Sequence, residues 1–121
     1  MATAGKRDFS SSTDGRGILV VATTTLGTTI HQPVAGTTVG TWDEVWLYAY
    51  NSHTSEVTLS IEFGGVTDPK DVIALTVPSQ SGLVLVIPGL PLQNSTNAVV
   101  TAFASVASKV SVFGYVNAIT D

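Results

Sequence analysis

The chain has 121 residues, enough for one domain that buries a core without staples, and no cysteine, which excludes disulfides and thiolate metal sites. Charged residues make up 12% of it and the formal net charge is −4, a balance that excludes a general nucleic-acid binder. Small polar residues take the place of charge: 17 Thr and 12 Ser stand beside 17 Val. Branching at Cβ suits a pleated, half-buried surface, so the composition points to an all-β protein.

Residues 1–17 are polar and rich in Gly and Ser, and read as an extended, flexible N-terminal arm ahead of a β-sandwich domain over 18–121. Lys6, Arg7 and Arg16 against Asp8 and Asp14 make this arm about +1, while Lys70 and Lys109 against seven acids make the remainder about −5. A basic arm can dock on an acidic surface, with Phe9, its only large apolar residue, as the anchor. The opening has no apolar secretory core.

The first strand of the body is expected over Gly17–Thr25, followed by a short strand and a loop broken by Pro33, Gly36 and Gly40. "EVWLYAYN" (44–51) is apolar on both faces, with Val45, Leu47 and Ala49 on one and Trp46, Tyr48 and Tyr50 on the other. Such a strand is either central or exposes aromatics at an interface. "EVTLSIEF" (56–63) alternates strictly, placing Glu56 and Glu62 on the solvent side. A turn at Asp68-Pro69 leads to two strands closed by Pro78 and Pro88, and "LPLQNSTN" (90–97) reads as a loop.

"VVTAFASVASKVSVFGYVNAI" (99–119) carries one charge, Lys109, yet its central serines and branched residues suit strands, not a membrane helix. It reads as a terminal hairpin turning at Ala107–Lys109. Val110, Val112 and Val116 face the core, while Phe113 and Tyr115 lean toward a subunit contact. About eight short strands with regular turn signals make an antiparallel β-sandwich or small barrel.

No motif carries catalysis. His31 and His53 are 22 residues apart and read as surface or loop residues, too few for a zinc site, and no G-x-S-x-G elbow is present. Glu56 and Glu62 lie about 20 Å apart along a strand, beyond the roughly 5–9.5 Å of a glycosidase pair. No catalytic residue, metal or cofactor is expected. "GTTVGTW" lacks the lysine of a phosphate loop, and Asn94-Ser95-Thr96 reads as a turn. The aromatics Trp42, Trp46, Tyr48 and Tyr50 remain, with three readings: core, protein interface, or a sugar-stacking platform.

Over residues 45–119 the chain resembles head decoration (cement) proteins of tailed bacteriophages. The segments that carry the resemblance are Phe63-Gly64-Gly65, the P-x-x-S-G-L-V-x-V-x-P-G run from Pro78 to Gly89, and Gly114-Tyr115-Val116-Asn117. The resemblance implies a β-rich module made in the host bacterial cytoplasm. It binds the outside of the assembled head, bridges major capsid protein subunits, and forms homo-oligomers, trimers among them. It implies no enzyme activity, nucleic-acid partner or membrane. The candidate contact residues are Lys6, Arg7, Phe9 and Arg16 in the arm, Trp42 and Trp46, and Phe113 and Tyr115. Two alternatives stay open: another virion component, such as a head–tail completion or tail protein, and a carbohydrate-binding sandwich using Trp42 and Trp46.

Overall fold

Two antiparallel sheets face each other across one apolar core. The computed structural model describes residues 3–33, 41–94 and 97–120. Among these, nine strands form: β1 (Thr3–Asp8), β2 (Ile18–Leu19), β3 (Thr28–His31), β4 (Thr41–Asn51), β5 (Val57–Phe63), β6 (Val72–Val77), β7 (Val84–Gln93), β8 (Val100–Ala104) and β9 (Val110–Thr120). The five-stranded sheet runs β1-β9-β4-β7, with β2 also on β9, and the four-stranded sheet runs β3-β8-β5-β6. No helix forms among the described residues, as the Val- and Thr-rich composition requires. The inward residues Val45, Leu47, Ala49, Val112 and Val116 of one sheet meet Val57, Leu59, Ile61, Val100 and Ala102 of the other. All ten are inaccessible or nearly so, which is the stabilising burial of a sandwich.

The stretch 99–119 is not a hairpin. Strand β8 pairs with β3 and β5, whereas β9 pairs with β1, β2 and β4. The chain crosses between sheets over residues 105–109, so the two halves face one another across the core instead of sharing a ladder. Alternation fixes which residues point inward, and Val110, Val112 and Val116 do so, but it does not say which strand lies alongside.

The N-terminal segment is not a free arm. Strand β1 pairs with β9 from Thr3↔Thr120 to Asp8↔Tyr115. An unpaired β9 edge would leave a row of backbone donors and acceptors, and β1 satisfies them. Phe9, expected as an external anchor, is 1% exposed and belongs to the core. Strand β7 also departs from expectation, running through Pro88 and Pro91 where a stop and a loop were expected. It is an edge strand paired only with β4, where a missing N–H is tolerated: Pro91 and Pro88 stay in register with Glu44 and Trp46, and two register shifts leave Gly89 and Val86 out of the pairing. Of the expected first strand over 17–25 only Ile18–Leu19 is strand. The expected loop over 34–40 and the Ser95-Thr96 half of the sequon lie outside the described residues.

Candidate functional site

Strand β4 sits at the centre of the five-stranded sheet, and its second apolar face points away from the core. The register sets Trp46 opposite Tyr115, Tyr48 opposite Phe113, Glu44 opposite Asn117 and Trp42 opposite Ile119. This outer face therefore carries two aromatic cross-strand pairs, Trp46–Tyr115 and Tyr48–Phe113, whose rings are half-buried, with Trp42 exposed at one end. The Trp46 and Tyr115 rings are nearly parallel, with an interplanar angle of 15° and centroids 6.4 Å apart.

Three features hold this pair. A Cβ on Gly89 would lie 2.7 Å from Cζ2 of Trp46, so the bare β7 backbone gives the indole its seat. The indole Nε1–H donates to Glu44 Oε1 at 2.8 Å, and Asn117 Nδ2 donates to the same oxygen at 3.0 Å. The Asn117 and Trp46 hydrogen bonds, working against a smaller desolvation effect, hold the Glu44 carboxyl below the usual carboxylate range. Lys6 on β1 lies with its Nζ 5.0 Å from the Tyr115 ring centroid, a cation–π contact. The result is an apolar surface with a fixed shape, one cation and one anion at its rim.

The structure thus brings together Lys6, Trp46 and Tyr115, and places Trp42 at the far end of the same face. Phe113 and Arg16 line one cavity of about 370 Å³ beside it. Arg7 sits in register with Val116, on the opposite side of β1 from Lys6, and Phe9 is inside. The last two are therefore not part of the outer face. Glu44 and Asn117, which set the indole, carried no signal of their own in the sequence beyond sharing the parity of Trp46.

Two polar clusters overturn expectations of solvent exposure. His31, expected on the surface or in a loop, is 4% exposed. Its Nδ1 accepts the Ser10 backbone N–H at 3.0 Å, so Nε2 carries the proton and donates to Asp43 Oδ2 at 2.6 Å. Both ring nitrogens are engaged, and the imidazole is a clamp between β3, β4 and the segment after β1, not a free base. Asp43 shares the inward parity of Val45 and Leu47, a signal legible in the sequence. Glu62, expected on a solvated sheet face, is fully buried. Its Oε1 accepts Thr101 Oγ1 at 2.6 Å and Gly27 N–H at 2.7 Å, and its Oε2 accepts Thr25 Oγ1. Burial alone raises its pKa, but these three donors outweigh it and hold the group below the usual range.

Among the described residues no group of three or more His, Asp or Glu could hold a metal ion, and no helix is long and apolar enough to cross a membrane. No family model, curated protein or solved structure matches the chain.

Proposed function

We infer that this protein is a structural docking module: a decoration protein that binds the outside of a tailed-bacteriophage head by the outer face of its five-stranded sheet. The observation that carries this reading is the outward-facing aromatic ladder of Trp46–Tyr115 and Tyr48–Phe113. Aromatic residues in shaped, charge-poor patches dominate protein–protein binding energy, and apolar surface of this kind is otherwise a liability. The three segments that resemble cement proteins supply the choice of partner. Two of them adjoin the ladder: Gly89 ends the second and seats Trp46, and the third contains Tyr115 and Asn117.

In this reading the protein is not an enzyme, its partners are the major capsid protein and further copies of itself, and its place is the capsid exterior. Co-sedimentation with its own capsid shells tests it. The wild type is expected to pellet with shells, and Trp46→Ala and Tyr115→Ala to pellet at least about tenfold less at matched concentration. Failure of the folded wild type to pellet rejects the reading.

One observation favours a second reading. Near-parallel Trp46 and Tyr115 rings, rimmed by Glu44, Asn117 and Lys6, set aromatic faces beside polar groups of the kind that hold a sugar ring. Glycan-array binding that vanishes in Trp46→Ala, with no binding to shells, would select it.

A further inference from the structure

The cavity beside the aromatic ladder is built, and its walls carry a coherent chemistry. Its lining is Ser11, Thr13, Arg16, Gly17, Ser111 and Phe113. One wall is the segment between β1 and β2, which is braced throughout. Ser12 N–H donates to Phe9 O at 2.9 Å, and Arg16 N–H to Thr13 O at 2.9 Å. Ser12 Oγ donates to Arg16 O at 2.7 Å. Asp14 and Gly15 take left-handed backbone angles, φ 56° and 78°, that close the turn. Ser11 N–H donates to Ile30 O at 3.2 Å, and the His31 ring accepts from Ser10, so the buried clamp with Asp43 fixes this wall from below. The other wall is β9, where the Phe113 ring lies 2.7 Å from where a Cβ on Gly17 would stand.

Arg16 is exposed, and no hydrogen bond or ion pair holds its guanidinium among the described residues. Among the described residues the ion pair of a Lys or Arg with a carboxylate is Lys70–Asp71, and Arg16 does not enter it. Asp8 faces Gly15 within the turn, 3.5 Å from where a Cβ there would be. A planar fork of donors, three hydroxyls and one aromatic ring match a carboxylate on a short aliphatic stem: the fork pairs both oxygens and the ring covers the methylenes. A phosphate dianion fits less well, because one guanidinium leaves it half-neutralised on a chain of net charge −4.

Building on the docking reading above, we propose that this cavity is a carboxylate pocket that takes an acidic side chain of the capsid surface on which the aromatic face docks. Its occupant is a Glu or Asp of the partner, and its role is to fix the register of docking while the aromatic ladder supplies affinity.

Two measurements on the full chain test this separately from docking. In the first, N-acetyl-glutamate amide, its glutamine counterpart and inorganic phosphate are titrated by NMR at fixed ionic strength. The glutamate compound is expected to shift the Arg16 side-chain N–H and the Gly17 and Ser111 amides, saturating in the millimolar range. The glutamine compound and the Arg16→Ala variant should respond at least about tenfold more weakly, and Arg16→Lys in between, since it keeps charge without the fork. Equal shifts at Lys6, Lys70 and Lys109, or tighter saturation by phosphate, overturn the carboxylate assignment. In the second, Arg16→Ala is expected to bind shells about tenfold more weakly than wild type, and wild-type affinity overturns the partner assignment. If wild type itself ignores shells, the docking reading fails and the titration alone decides the pocket.

Discussion

Replacing Glu62 tests whether a buried carboxylate ties the segment before β3 to the outer side of the four-stranded sheet. Three donors converge on it, from Thr101, Gly27 and Thr25. Glu62→Gln keeps one acceptor oxygen for Thr101 and Gly27 but removes the charge, turning charge-assisted bonds into ordinary ones. A charge-assisted bond is worth about 1.5–3 kcal/mol and a neutral one about 1, so the expected loss is about 1–2 kcal/mol at pH 7. Glu62→Ala strands the donors, of which Thr101 is only 2% exposed, and the expected loss is about 3–5 kcal/mol. The pH dependence has a definite sign. Because the folded pKa is depressed, the stabilisation is complete above the unfolded value of about 4.3 and is lost as pH falls through the folded one. Urea unfolding followed by tryptophan fluorescence, from pH 7 down to pH ~3, reads both effects. The wild type should lead Glu62→Gln at neutral pH and converge on it in acid. A gap below about 0.5 kcal/mol at pH 7, or one that widens in acid, refutes the reasoning.

The first strand and the sheet centre give two further expectations. Phe9→Ala should cost about 3–5 kcal/mol in the same unfolding assay, because the ring is core and not an external anchor, whereas a change near zero would return residues 3–9 to a free arm. Gly114→Ala should cost at least about 3 kcal/mol or prevent folding. Its φ is 141° and the added Cβ would lie 2.0 Å from the Trp46 carbonyl oxygen, so a well-folded variant with wild-type stability would contradict the β4–β9 geometry.

Much of the fold was legible because period-two alternation is a direct imprint of a half-buried strand. Val57, Leu59 and Ile61 face inward as their spacing demands, and strand 41–51 is both central and aromatic on its outer side. Alternation says nothing about neighbours in space, which is why 99–119 read as a hairpin when its halves belong to opposite sheets. Composition misled at the N-terminus, since a polar Gly/Ser-rich segment can still satisfy a sheet edge through its backbone alone. Parity likewise put Glu62 on the outer face correctly, but the coverage by Thr25 and Gly27 is a tertiary event some 35 residues away in sequence. At the candidate site, Trp46, Tyr115, Phe113, Lys6 and Arg16 were legible as residue types in suggestive places. What no local pattern supplied was their meeting, which depends on β1 and β4 both pairing with β9.

The most direct test of the docking account is cryo-electron microscopy of capsids carrying this protein. The account predicts tens to hundreds of copies per particle, on the outer surface, each with Trp46 and Tyr115 turned into the contact. Copies numbering about six or twelve at a single vertex, or a bound protein whose aromatic ladder faces solvent, would contradict it.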